Sequence, residues 1–130
     1  MPKDESLRHD IVTSPAELEV LADELARAAV IGVDLEADSM FHFQERVCLL
    51  QIAIPGRNVV VDTVELSDLS ALRPVFRDPA IKKVFHGADY DLRVLNRDFG
   101  FTVSNLIDTS VAAHLLGYEA FGLSALLERN

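Results

Sequence analysis

The chain has 130 residues, 49% of them hydrophobic, which is enough apolar material for one cored domain and excludes a disordered polymer. Twelve Lys and Arg against 21 Asp and Glu give a formal charge of −9, which excludes a grip on nucleic acid through a broad basic surface. An enzyme in which bound cations carry the local attraction stays open.

No apolar run is long enough to span a bilayer, and the charged stretch Met1 to Asp10 lacks a signal-peptide core. A soluble, cytoplasmic protein with no membrane partner is the expectation. Arg8 to Val12 reads as a short first strand. Ser14-Pro15-Ala16-Glu17 is a helix start, with Ser as N-cap, Pro at the first helical position and Glu placed for a capping box. Leu18, Leu21, Ala22, Leu25 and Ala29 repeat at helical spacing, so this helix is expected to run to about Ala29 with that stripe buried. Val30 to Leu35 is a strand, Asp38 to Arg46 a connection, and Val47 to Ile54 a near-continuous apolar central strand. Pro55-Gly56-Arg57-Asn58 is a turn before the strand Val59 to Asp62. Short links between these strands favour antiparallel pairing. The single cysteine, Cys48, excludes an internal disulfide and reads as a small buried side chain.

Beyond Asp62 the pattern changes. Leu69, Leu72, Val75 and Phe76 mark a helix ended by Asp78-Pro79, and Lys82 to Phe85 a short strand. Tyr90 to Phe99 is helical, with Leu92, Leu95 and Phe99 inward and Gly100 as C-cap. Leu106-Ile107 is extended, Asp108 or Thr109 caps a helix to Leu116, and Gly122 begins a last helical piece. Strands first, then alternating helix and strand, indicate a mixed α/β (α+β) sheet with helices packed on it.

Chemistry concentrates in Val33-Asp34-Leu35-Glu36. On a strand, Asp34 and Glu36 face the same side. Two acids side by side in an apolar element repel each other and resist desolvation, and a hard divalent cation neutralises such a pair through oxygen ligands. A second acidic cluster, His86-Gly87-Ala88-Asp89-Tyr90-Asp91, follows another apolar strand. Acids converging from different elements suit two-metal phosphodiester hydrolysis. Asp89 and Asp91 flank Tyr90 and cannot share a direction on one helical turn.

Val33-Asp34-Leu35-Glu36 followed by Val47-Cys48-Leu49-Leu50-Gln51-Ile52 resembles the first motif of the DEDD 3′-5′ exonucleases, in their ribonuclease D-like branch. Lys83-Val84-Phe85-His86-Gly87-Ala88-Asp89-Tyr90-Asp91-Leu92 resembles the second, and Leu106-Ile107-Asp108-Thr109 the segment that follows it. The resemblance covers Ile11 to Asn130. It implies a ribonuclease H-like mixed sheet of about five strands with flanking helices. It also implies hydrolysis of single-stranded nucleic acid, RNA rather than DNA, from a 3′ end. Asp34, Glu36 and Asp91 would be the catalytic and metal-binding acids, holding two Mg²⁺ or Mn²⁺ ions; Asp91 rather than Asp89 takes the second-motif position.

One motif is missing. The family carries a later tyrosine that positions water, four residues before a metal-binding aspartate, and no Tyr-x-x-x-Asp follows Gly122. Residues 1–130 are therefore expected to be a single exonuclease domain, cut short at its C-terminus and impaired. An apolar face exposed by that loss would favour self-association. A non-catalytic nucleic-acid-binding or assembly module with the same fold is the rival reading.

Leu35, His86 and Tyr90 are candidate substrate contacts. For His86 a plain hydrogen-bonded role at a strand end is an equal alternative, and for Tyr90 partial core packing. Lys82, Lys83, Arg93 and Arg97 are either phosphate contacts or ordinary solvated charges. Asp89 reads as an N-terminal helix residue, Asp108 as an N-cap, and Asp38 and Glu45 as loop charges. Phe41, His42 and Phe43 pack on the sheet or line a substrate-facing loop.

Overall fold

A computed structural model describes residues 9–38, 46–120 and 122–129. Six strands form one mixed sheet in the order β1-β4-β3-β2-β5-β6. In the middle, β2 (Val30–Asp38), β3 (Arg46–Ile54) and β4 (Arg57–Asp62) pair antiparallel, as short links favour. Outside them, β1 (His9–Val12) lies parallel to β4, β5 (Lys82–Phe85) parallel to β2, and β6 (Leu106–Asp108) parallel to β5. The six strands include the short N-terminal strand expected at Arg8 to Val12 and the extended Leu106-Ile107 segment, where the resemblance implies about five.

Strand alternation divides the sheet into two unlike faces. Ile31, Val33, Leu50, Ile52, Val59, Val61 and Phe85 are buried on one face. The helix α1 (Pro15–Leu25) brings Leu18, Leu21 and Leu25 into the same core. A 3₁₀ turn, Ser70–Leu72, leads into the short helix α2 (Arg73–Arg77) and adds Leu72, Val75 and Phe76. Phe76 stacks on Phe101 with ring centroids 4.9 Å apart. The intervening strand positions, Gly32, Asp34, Gln51, Ala53, Asn58, Val60 and Val84, line an open groove of about 560 Å³ on the opposite face.

The helix ends follow their caps. Ser14 is extended, its Oγ accepting the Glu17 N–H at 3.3 Å, which is the N-cap half of the expected box, while Glu17 Oε1 accepts from the Ser14 hydroxyl at 2.8 Å rather than from its backbone N–H. α1 stops at Leu25 rather than Ala29, because residues 26–29 turn the chain into β2, where Ala29 O accepts from Lys82 N at 2.9 Å. Pro74 helps to split the expected helix over residues 69–76 into the 3₁₀ turn and α2, since it carries no N–H to continue a ladder. The helix α3 (Ala88–Phe99) closes at Gly100 in the left-handed conformation, φ 67°. Two short helices, α4 (Thr109–Leu115) and α5 (Leu123–Arg129), complete the chain. Arg57 ties three elements together, its Nε donating to Asp10 at 2.6 Å and its Nη1 to Glu24 on α1. Among the described residues no helix is long and apolar enough to cross a membrane.

Lys83 corrects an expectation. It is neither a phosphate contact nor a solvated charge: its side chain is fully buried on the core face. Its Nζ donates to Asp78 O at 2.6 Å and Ser104 O at 3.0 Å, fastening the loops on both sides of β5. Burial pulls its pKa down, against the neighbouring Asp78 charge. Arg93 and Arg97 are engaged with Asp89 and Asp98. The Cys48 and Asp38 side chains and Phe41, His42, Phe43 and Glu45 lie outside the described residues. Replacing Lys83 by Met leaves two carbonyls without their donor. It is expected to lower unfolding stability by about 1 to 3 kcal/mol in a urea titration while leaving oligonucleotide binding unchanged. Weaker binding at unchanged stability would contradict the buried role.

Candidate active site

Asp34 and Glu36 lie on the groove side of β2, opposite Gln51 and Leu49 of β3. The strand is buried on its other face only, so both acids are exposed rather than sunk in an apolar element as the sequence suggested. Asp34 Oδ1 accepts the Leu35 N–H at 3.0 Å. The ladder slips between Glu36 and Ala37, which bends the strand just past the pair. Leu35, on the opposite side of the pleat, is half-buried against the core.

Asp91 comes from the first turn of α3 and is the site's one buried acid, 8% exposed. The turn before it needs Gly87, whose φ of 72° is a conformation that side chains with a Cβ avoid. Burial, then the Asp34 carboxylate, then Asp108 push the Asp91 carboxyl up to about 6. This coupling joins Asp34 and Asp91, which stand 57 positions apart in sequence, into one electrostatic unit. Asp89 is turned away, paired to Arg93 Nη2 at 3.2 Å on the surface. Glu36 does not close a triad: among the described residues no group of three or more His, Cys, Asp or Glu stands close enough to hold a metal ion.

Asp108 is an N-cap, as its sequence position suggested, but it caps two helices. One oxygen accepts from Gly87 N (2.9 Å), Ser110 N (2.9 Å) and Ser110 Oγ (2.7 Å), the other from Ala88 N at 2.7 Å. Burial alone would raise this carboxyl, but the Ala88 amide, the Ser110 hydroxyl and the Gly87 and Ser110 amides outweigh it and hold Asp108 well below the usual carboxylate range. Both oxygens accept from donors of the two turns, so Asp108 holds those turns together.

Beside it, Thr109 Oγ1 lies 2.8 Å from His86 Nδ1 and 3.1 Å from Phe85 O. Its one hydroxyl proton goes to the carbonyl, so the hydroxyl accepts from Nδ1–H. Among the described residues His86 Nε2 has no hydrogen-bond partner, and the residue lines the groove with Asp34 and Gln51. Tyr90 is 39% exposed one residue before Asp91. Sequence reading missed the double cap and the Thr109 relay, because both depend on β5 and β6 ending side by side.

The donor set fits a hard divalent cation. A buried carboxyl whose ionisation burial and the Asp34 carboxylate oppose is relieved by positive charge, and oxygen donors suit Mg²⁺ and Mn²⁺. The sign of the pH dependence follows. The folded Asp91 holds its proton up to about pH 6, whereas an unfolded aspartate loses it near pH 4. Below that lower value the two states bind protons alike. As pH rises through the folded value, the folded state alone bears the cost of ionising Asp91, so stability is lost. Without metal, chemical denaturation should show this contribution falling by about 2 kcal/mol between pH 4 and 7, after allowance for solvent screening. Asp91→Asn should flatten that slope and be the more stable chain at pH 8. An unchanged slope would place Asp91 elsewhere.

The family described as 3′-5′ exonuclease matches residues 9–130. Protein RRP6-like 3 of Arabidopsis thaliana is 43% identical over 118 residues, covering 90% of this chain and 13% of that protein. The chain therefore spans a small part of the length of the curated relatives it matches. The crystal structure of the catalytic core of RRP6 from Trypanosoma brucei superposes with a TM-score of 0.90 at 34% identity, over 95% of this chain and 34% of that one. Escherichia coli RNase D, an exoribonuclease involved in structured RNA processing, superposes at 0.87 with 25% identity, over 95% of this chain and 33% of that one. With its mixed sheet and its acids on the second strand and third helix, this chain belongs to the 3′-5′ exonuclease family, in the group that includes RRP6 and RNase D.

Proposed function

We propose that this domain removes nucleotides from the 3′ end of single-stranded RNA with the help of two Mg²⁺ or Mn²⁺ ions. The observation that carries the reading is the coupling of the buried Asp91 to Asp34 on the groove side of the sheet. Asp34 and Asp91 would hold an ion between them, and Glu36, next outward on β2, would complete the acidic edge. When bound, the ions supply an activated water and charge stabilisation at the phosphate. The chain's own residues do the rest. His86, with Nδ1 fixed by Thr109, offers Nε2 to a phosphate or sugar oxygen. Tyr90 offers a ring face to a base. Leu35, expected as a substrate contact, packs its side chain toward the core and takes no such part. The preference for RNA over DNA rests on likeness to an exoribonuclease.

Three of the four acids that the family resemblance implies stand in this sequence, and no Tyr-x-x-x-Asp follows Gly122. Turnover by these 130 residues is therefore expected to be slow at best. Their binding of RNA is the cleaner test. A fluorescent single-stranded RNA with a hydrolysis-resistant 3′ linkage should bind at least about 10-fold more tightly with Mn²⁺ than with EDTA, and Asp34→Asn should abolish that gain. Brisk metal-dependent trimming would contradict the expected impairment. The unclosed acid triad also leaves room for a non-catalytic binding module. Equal binding with and without metal would favour that module.

A further inference from the structure

The turn that carries Asp91 is fastened almost entirely to a second turn. Along Phe85 to Ala88, the Phe85 carbonyl takes the Thr109 hydroxyl, the His86 ring donates to it, and the Gly87 and Ala88 amides both donate to Asp108. Asp108 at the same time caps α4 through Ser110 N. The first amides of a helix have no partner within it, and Gly87 offers no side chain to take them. Asp108 supplies that partner from 20 residues away.

We infer that Asp108 is a positioning residue for the acidic site. Its carboxylate sets the height and angle at which α3 enters, and so where Asp91 stands relative to Asp34. The hydrogen bonds that Asp108 accepts all hold the two turns, so its role here is to act through Asp91. The inference deepens the proposed function and rests on it.

Two neutral replacements separate position from charge. Asn and Ser are both good N-caps, so α4 keeps its start in either variant. Both lose the negative charge. Asn keeps the length and one acceptor oxygen, so it can hold one side of the α3 turn (its NH2 cannot accept from the other amide), and Ser reaches neither. Mn²⁺ binding to the whole chain is read by electron paramagnetic resonance of the free ion, with circular dichroism as the check on folding. Asp108→Ser is expected to lose at least about 10-fold in Mn²⁺ affinity and to speed hydrogen exchange at the Ala88 amide, while Asp108→Asn loses no more than about threefold. Ser110→Ala, which touches only the α4 side of the clamp, should stay within about twofold of the unaltered chain.

Equal losses in the Asn and Ser variants would overturn positioning and reduce Asp108 to a source of charge. Wild-type affinity in Asp108→Ser would overturn it too, as would an unfolded Asp108→Ser chain whose loss Asp108→Asn fully shares. Asp91→Asn tells the two claims apart. If it binds Mn²⁺ like the unaltered chain, or if the unaltered chain binds none, the metal site itself fails and this inference with it. If Asp91→Asn loses binding and Asp108→Ser does not, only the inference fails.

Discussion

A buried carboxyl, Asp91, whose ionisation is opposed by burial and by the Asp34 carboxylate is the constraint around which the site is built. Asp91 is largely buried beside Asp34, and both burial and like charge weigh against its losing a proton. A fold under no functional demand would remove such a conflict by one substitution. Here the surrounding structure keeps it instead, with a buried acid whose neutral form is comfortable and whose charged form wants a cation. The two-faced sheet makes this tolerable. The main apolar core is on the α1 side, so the groove side can carry Asp34, Glu36 and Gln51 without tearing that core.

Topology brings the remaining polar groups to one place. β5 and β6 are parallel neighbours, with Phe85 in register with Asp108. Their chains therefore leave the sheet at the same end and side by side, where the crevice beyond the strand ends of open α/β sheets commonly receives ligands. His86 and Gly87 leave from one strand and Asp108 and Thr109 from the other, and each set satisfies the other's hydrogen bonds. Rigidity at a site of opposed charges is the benefit. Without it, the acids would relax apart and the affinity for an ion would be spent on bringing them back.

Much of this was legible in the sequence, and what was not has a common cause. Short apolar runs bounded by turn residues located β2 to β5, and Ser14, Gly100 and Asp108 marked helix ends that the structure keeps. Helix geometry showed only that Asp89 and Asp91 diverge; the motif resemblance picked Asp91, and of the two only Asp91 is buried. The misreadings arose where a residue's neighbours lie far along the chain. Lys83 looked solvated because a lysine beside a lysine usually is, yet the strand's alternation sends it into the core, where two distant carbonyls receive it. Asp34 and Glu36 looked buried because their strand is apolar, yet that strand is covered on one face only. The second half of the Asp108 cap could not be read locally at all, since nothing in its own segment names the amides of α3.

An anomalous-scattering map of crystals soaked in Mn²⁺ at pH 7.5 addresses the shared-cation claim most directly. A peak with carboxylate oxygens of both Asp34 and Asp91 at about 2 to 2.5 Å is the outcome that agrees with it. A map with no peak between them, or with the two side chains turned apart while Mn²⁺ sits elsewhere, would contradict it.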